Sequence, residues 1–111
     1  MNLHWNRRAL REFQQAIDDL SEYSSQAAIA WRENVQRMTE MLENHPRIGN
    51  LFRYDDDGEI RQVIVGRYRF IYLFDGHRLE MCRVWHVRRD HNPNVIRDGG
   101  ARRGWPAFIG Y

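Results

Sequence analysis

The residues best suited to chemistry lie near the end of a strand-like segment, where Arg83 and His86 are followed by Arg88 and Arg89. An imidazole titrates near neutral pH, so His86 is the best candidate for a general acid or base. Guanidinium groups stay charged and bind phosphates or carboxylates through paired N–H donors. The alternatives are a structural histidine, hydrogen-bonded to the backbone or to Asp90, and a solvated rim of arginines.

A second group of candidates consists of Arg67 and Arg69, which alternate with aromatic residues in another strand-like segment. Period-two alternation places both on the same side as Ile71. A sheet face that mixes arginine with apolar groups is typical of neither a buried nor a solvated face, and it favours contact with a charged macromolecule. Internal ion pairs with Glu59 or Glu80 are the alternative.

The charge of the chain limits which groups could transfer protons or bind anions. The 111 residues include 17 basic side chains, all of them arginine, and 15 acidic ones. Arginine is a poor general base, so proton transfer would need His, Asp, Glu, Tyr or Cys. Residues 1–46 hold 5 arginines and 7 acids (net −2), whereas residues 47–111 hold 12 and 8 (net +4). The positive field is therefore expected on the second half.

Metal, cofactor and membrane functions are not indicated. Five histidines without tight spacing and a single cysteine, Cys82, predict no metal site and no internal disulfide. The chain has no glycine-rich phosphate loop, so we expect no cofactor. No apolar run is long enough to cross a bilayer and no signal-peptide pattern is visible, which favours a cytoplasmic protein.

Hydrophobic periodicity predicts the elements that position these residues. A short strand at residues 1–6 precedes two helices, one from Arg7 to Tyr23 and one from the Ser24–Ser25 break to His45–Pro46. The apolar stripe of each helix is expected to be core. Beyond residue 50, alternating segments separated by turn residues predict strands. They are Ile60–Val65, Arg67–Phe74 and Arg78–Val87, and a shorter strand-like segment, Leu51–Tyr54, precedes them.

These elements predict an α+β fold of the order β-α-α-β-β-β, in which a helical hairpin packs on a small, mainly antiparallel sheet. We expect one domain over residues 1–92 and a C-terminal extension over residues 93–111. In the last strand, alternation assigns two sides. One side holds Leu79, Met81, Arg83, Trp85 and Val87, and the other holds Glu80, Cys82, Val84 and His86.

Four segments, in this order along the chain, resemble the ParE/RelE superfamily of bacterial type II toxins. Leu3–Leu10 looks like the opening strand and helix, and Pro46–Gly49 like the Pro-x-hydrophobic-Gly turn. Arg67–Tyr72 looks like the central strand, and Val84–Asp90 like the closing V-x-H-x-R-R-D signature. The resemblance covers residues 2–92.

The resemblance implies one of two functions. RelE-like members are ribosome-dependent messenger endoribonucleases, and in that case Arg69, Arg83 and His86 would be the catalytic residues. ParE-like members have a similar fold without that catalytic set, and they are held to poison DNA gyrase. Members of both branches are neutralised by a small antitoxin protein, and higher-order toxin–antitoxin assemblies are possible.

The pattern favours the ParE branch, the plasmid-stabilisation type. RelE-like sequences have lysines before the central strand and a tyrosine after the last strand, whereas this chain has no lysine and has Pro93 near the tyrosine position. We therefore expect a gyrase-inhibiting toxin rather than an enzyme. A ribonuclease is the alternative hypothesis, and an inactive relative that only binds its antitoxin is the third. The residues expected to contact target or antitoxin are Arg67, Arg69, Arg83, Trp85, His86, Arg88 and Arg89.

Overall fold

The computed structural model describes residues 1–88. Arg89, the expected domain end at residue 92 and the C-terminal extension of residues 93–111 lie outside the described residues. Seven elements follow one another along the described chain. They are β1 (Leu3–Trp5), α1 (Arg7–Tyr23), α2 (Ser25–Asn44), β2 (Asn50–Asp55), β3 (Gly58–Val65), β4 (Tyr68–Phe74) and β5 (Leu79–His86).

The five strands form one sheet in the order β1-β5-β4-β3-β2. β1 pairs with β5 in parallel, and the other neighbours are antiparallel. The expected α+β fold, with a helical hairpin on a mainly antiparallel sheet, is confirmed. The segment predicted at Leu51–Tyr54 is a six-residue edge strand, β2. Four strands rather than three therefore follow the hairpin within residues 1–88.

Local capping sets the limits of both helices. The side chain of Asn6 accepts the N–H of Ala9 at 2.8 Å, where α1 begins. The hydroxyl of Ser24 accepts the N–H of Ala27 at 3.1 Å, which confirms the predicted break and N-cap between the helices. α2 ends at Asn44, directly before His45 and Pro46, because a residue that precedes a proline disfavours the helical conformation.

The main core lies between the helices and one face of the sheet, here called the helix face. Trp31 is at its centre, with its ring 4.9 Å from Tyr68 and 5.8 Å from Phe70. The indole N–H donates to the carbonyl of Val65 at 3.0 Å, so the buried polar group is satisfied. The predicted apolar stripe of α2 is buried here: Ala28, Trp31, Val35, Met38 and Leu42.

The opposite face of the sheet, here called the second face, has an apolar cluster of its own. Its buried members are Ile60, Ile71, Leu73, Cys82 and Trp85. A β-bulge decides which residues of β5 reach this face, because Tyr72 pairs with Met81 whereas Ile71 pairs with Arg83. The extra residue reverses the alternation, so Arg83 and Trp85 lie on the opposite side from Met81. The expectation that these three residues share one side is wrong for this reason.

Candidate functional site

Arg69 lies on the second face of the sheet, where its cross-strand partner is Trp85. Its Nη1 donates to the side-chain oxygen of Gln62 at 3.3 Å. Its Nε is shielded from solvent without a hydrogen-bond acceptor, and so is Nε1 of Trp85. Among residues 1–88 no carboxylate pairs with Arg69, so the suggested ion pairs with Glu59 or Glu80 do not form. Within the described part of the chain, this half-buried cation therefore has no counter-charge.

Arg83 is held by an internal ion pair. Its Nε and Nη2 donate to the carboxylate of Glu12 in α1, with the shortest contact at 2.8 Å, and its guanidinium lies 4.4 Å from the Trp85 ring. The same carboxylate accepts the backbone N–H of Val84 at 2.8 Å. Burial and the positive charge of Arg83 lower the pKa of nearby Arg8. Because its charge is balanced, Arg83 links α1 to β5 rather than offering a free phosphate-binding group.

His86 lies at the end of β5 on the helix face, on the other side of the sheet from Arg69. Its ring packs edge-on against Tyr68, with 5.1 Å between ring centres, and it borders a cavity of about 220 Å³ beside α1. Its Nδ1 accepts the backbone N–H of Arg88 at 2.9 Å. The ring therefore has the structural contact with the backbone that the sequence left open as an alternative. Asp90, the other suggested partner, lies outside the described residues.

Arg67 and Arg88 are both exposed at one end of the sheet. Arg67 lies in the turn between β3 and β4, and its carbonyl accepts the N–H of Val87 at 2.7 Å. This bond fixes the residue before Arg88 to the turn that carries Arg67. The two arginines are thus positioned near one another, at the end of the sheet where β4 begins and β5 ends.

The candidate ribonuclease residues are not assembled into one site. Arg69 and Arg83 lie on the second face, and Arg83 already has a carboxylate partner. His86 lies on the helix face with one ring nitrogen occupied. The described part of the chain also contains no group of three His, Cys, Asp or Glu side chains that could hold a metal ion. None of its helices has the length and apolar character that a membrane span requires.

Two surface grooves were not predicted from the sequence. One, of about 540 Å³, lies between α1 and α2 and is bordered by Leu10 and Ile29. The other, of about 370 Å³, lies between α2 and the end of β3 and is bordered by Met41, Ile48 and Ile64. The sequence does carry a signal for them, because Ile29 and Met41 are apolar residues of α2 outside its buried stripe. Without tertiary structure, these residues are indistinguishable from scattered surface apolar residues.

Comparison with known proteins identifies a matching protein family and a similar solved structure. A family model, described as the ParE toxin of the type II toxin–antitoxin system parDE, matches residues 3–91. A solved structure titled as the chromosomal ParDE toxin–antitoxin system from P. aeruginosa contains a similar chain, with a TM-score of 0.62 and 15% sequence identity. The match covers 78% of this chain and 95% of that one, and at this identity it shows the fold alone. Among curated protein sequences, none matches significantly.

Proposed function

Since the chain belongs to the ParE toxin family of type II toxin–antitoxin systems, we propose that it inhibits DNA gyrase and that a cognate antitoxin neutralises it. Its expression without the antitoxin would then arrest growth. A plasmid carrying both genes would be retained, because cells that lose it lose the antitoxin as well. The site of action would be the cytoplasm, where gyrase and DNA are found.

One observation favours gyrase inhibition over messenger cleavage: the separation of His86 from Arg69 and Arg83, the two arginines of the candidate catalytic set. A general acid or base has to lie within hydrogen-bond reach of the proton that it transfers, at the same site as the groups that bind the phosphate. Here the sheet lies between His86 and Arg69, and Glu12 balances the charge of Arg83. The chain also has no lysine that could replace Arg83.

We further propose that Arg67, Arg69 and Arg88 contribute to target binding. Arg67 and Arg88 are exposed, and Arg69 lacks a carboxylate partner among the described residues. For Arg89, Trp85, Arg83 and His86, a role in binding stays a prediction from the sequence. Of these, Trp85 is buried beside Arg69, so its contribution would be to support the arginine rather than to present a surface.

The experiment that tests the function uses the purified protein in two parallel assays. In the first, DNA gyrase and supercoiled plasmid are incubated with the protein, and cleaved DNA is expected to accumulate after denaturation of the enzyme. In the second, ribosome-bound messenger is expected to stay intact. Cleaved messenger, together with loss of that cleavage in His86→Ala, would overturn the proposal in favour of the ribonuclease. Failure of both assays, with antitoxin binding intact, would identify an inactive relative.

Substitution of Arg69 tests its role in the gyrase assay. We expect Arg69→Gln to raise the concentration required for DNA cleavage by about tenfold or more, since a hydrogen bond to a charged group contributes about 1.5–3 kcal/mol. Arg11→Gln is the matched control, because it removes the same charge from an exposed position of α1. Equal activity of the two variants would contradict a role for Arg69, provided that circular dichroism shows both to be folded.

A further inference from the structure

Two buried N–H groups on the second face have no acceptor, and the function proposed above does not account for them. Nε of Arg69 and Nε1 of Trp85 are both shielded from solvent without a hydrogen-bond partner. The side chain of Trp85 is buried, since the residue is only 3% exposed. Nearly all buried polar groups in folded proteins have a partner, because an unsatisfied donor loses its hydrogen bonds to water without replacement. The two donors therefore indicate that an acceptor belongs at this place.

The two donors belong to neighbouring side chains. Arg69 of β4 and Trp85 of β5 are cross-strand partners in an antiparallel pair. Side chains in such positions lie on the same face, with their Cβ atoms about 4.5–5.5 Å apart. One acceptor group between them can therefore reach a donor of each, provided that it has two acceptor atoms or lone pairs.

The charge of the arginine favours an anionic acceptor. Arg69 donates to the side-chain oxygen of Gln62 at 3.3 Å, and a neutral amide balances no charge. None of the ion pairs within residues 1–88 includes Arg69. A guanidinium stays protonated at every working pH, and a carboxylate with its two oxygen atoms is the side-chain group that matches its donors. The expected ligand is therefore a carboxylate.

The carboxylate of Glu12 reaches the adjoining part of β5, but it is already occupied. It accepts two nitrogens of Arg83 and the backbone N–H of Val84. The guanidinium of Arg83 lies 4.4 Å from the centre of the Trp85 ring, so a second cation stands beside the indole. Glu12 balances that second cation and leaves the charge of Arg69 to another acid.

Burial of both donors favours a carboxylate from the same chain. A free anion or a partner protein reaches atoms at the surface, and these two nitrogens are not at the surface. The acids beyond residue 88 are Asp90 and Asp98. Trp85, the cross-strand partner of Arg69, stands three positions before Arg88. A chain that returned to this point would need about four residues to reverse its direction. Such a turn would include Asp90, which leaves Asp98 as the acid that could reach the two donors.

We propose that Arg69 and Trp85 form a carboxylate-binding site on the second face and that Asp98 of the same chain is its ligand. One carboxylate oxygen would accept Nε of Arg69 and the other Nε1 of Trp85, which would satisfy both donors and balance the charge. This inference goes beyond the proposed function, because it concerns the free toxin. It has one consequence that rests on the proposed function: a target that binds through Arg69 has to displace Asp98.

The first test follows the indole N–H signals in proton–nitrogen correlation spectra of the full chain, where Trp85→Phe identifies the Trp85 signal by its loss. Asp98→Ala is expected to shift that signal to lower proton frequency, because a charge-assisted hydrogen bond is lost. The matched control, Asp90→Ala, should leave it in place. Trp31 is the internal control for the fold, since its indole N–H donates to the carbonyl of Val65 at 3.0 Å and its signal should not move.

A double-mutant cycle and the gyrase assay test the pair in two further ways. Asp98→Ala is expected to lower the melting temperature by at least about 4 °C. Adding Arg69→Gln should cause no further loss, because the charge that Asp98 balanced is then absent. In the gyrase assay, Asp98→Ala should lower the concentration required for DNA cleavage by about threefold or more, because Arg69 no longer has to be released.

The outcomes separate this inference from the proposed function. An unchanged Trp85 signal in Asp98→Ala, or additive losses in the cycle, would overturn the inference, and so would a shift caused by Asp90→Ala instead. If sodium phosphate or sodium acetate moves the Trp85 signal of the wild type while that of Trp31 stays, the site is open to free anions and the inference also fails. If the wild type does not inhibit gyrase, the proposed function fails, whereas the spectra and the cycle still decide whether Asp98 binds Arg69.

Discussion

At the scale of single residues, the buried hydroxyl of Tyr72 explains the Pro-x-hydrophobic-Gly turn. The hydroxyl accepts the N–H of Gly49 at 2.9 Å and donates to the carbonyl of Pro46 at 2.7 Å. A Cβ atom at Gly49 would lie 2.7 Å from that hydroxyl and 2.7 Å from the carbonyl oxygen of Gln62. No side chain larger than that of glycine therefore fits at position 49 without a shift of these atoms. Burial raises the pKa of Tyr72, so the hydroxyl stays protonated and continues to donate.

We expect Tyr72→Phe to lower the free energy of unfolding by about 1–3 kcal/mol, because it leaves the N–H of Gly49 and the carbonyl of Pro46 without their partner. Urea denaturation measures the change. Tyr54→Phe is the matched control, since Tyr54 is 67% exposed, and it should change stability by less than about 0.5 kcal/mol. Equal stability of the two variants would show that the hydroxyl does not hold the turn.

At the scale of elements, α1 completes an edge of the sheet that β1 leaves open. β1 pairs with β5 only from Leu79 to Met81. Beyond that point Glu12 occupies the edge, where it accepts the N–H of Val84 and binds the guanidinium of Arg83. One carboxylate thus satisfies a backbone donor that a longer β1 would otherwise have bonded, and it attaches α1 to β5.

Substitution of Glu12 should show how much its ion pair with Arg83 and its hydrogen bond from Val84 contribute to stability. Glu12→Ala is expected to lower the free energy of unfolding by about 2–4 kcal/mol, because it leaves a partly buried guanidinium and a backbone N–H unpaired. Glu12→Gln keeps a neutral acceptor and should cost less. Thermal unfolding of both variants is compared with that of Glu22→Ala, an exposed position of α1. If all three substitutions change the stability equally little, Glu12 does not stabilise the contact between α1 and the edge of β5.

At the scale of the whole molecule, several arginines of the second half are held in ion pairs within the described residues. Arg47 and Arg61 share Glu59, with N–O distances of 3.0 and 2.9 Å. Arg83 is paired with Glu12 of the first half of the chain. Glu59 already counts in the net charge of +4 of residues 47–111, so of these ion pairs only that of Arg83 with Glu12 reduces the charge of the second half.

The pair of arginines around Glu59 predicts how stability depends on pH. Burial by itself would raise the pKa of Glu59, but the hydrogen bonds from Arg61 and Arg47 outweigh it and lower the pKa below its ordinary 4.5. The resulting stability is fully present above pH 4.5 and is lost as the pH falls through the lower folded-state value. We expect Glu59→Gln to be less stable than the wild type at pH 7 and to show a smaller loss in acid. Urea denaturation between pH 3 and pH 7 measures both effects, and parallel pH profiles would contradict the assignment.

Apart from β2, the sequence alone determined the elements and their order, because the signals for them are local. Asn6 and Ser24 cap the helices through residues three positions away, and the bounds of α1 were predicted without error. Gly66 and Gly76 have positive φ angles in the turns that separate the last three strands, a conformation that glycine adopts without strain. The order of short motifs was likewise sufficient to indicate the family.

The arrangement of the candidate site was decided only by the tertiary structure. The bulge in β5 reverses the alternation that the sequence implied, because pairing with β4 places one extra residue between Met81 and Arg83. The carboxylate that neutralises Arg83 comes from Glu12, 71 positions earlier in the chain. Contacts between segments so far apart leave no periodic pattern in the sequence. Packing of the helices on the sheet therefore decides that Arg83 has a carboxylate partner and that Arg69 has none within residues 1–88.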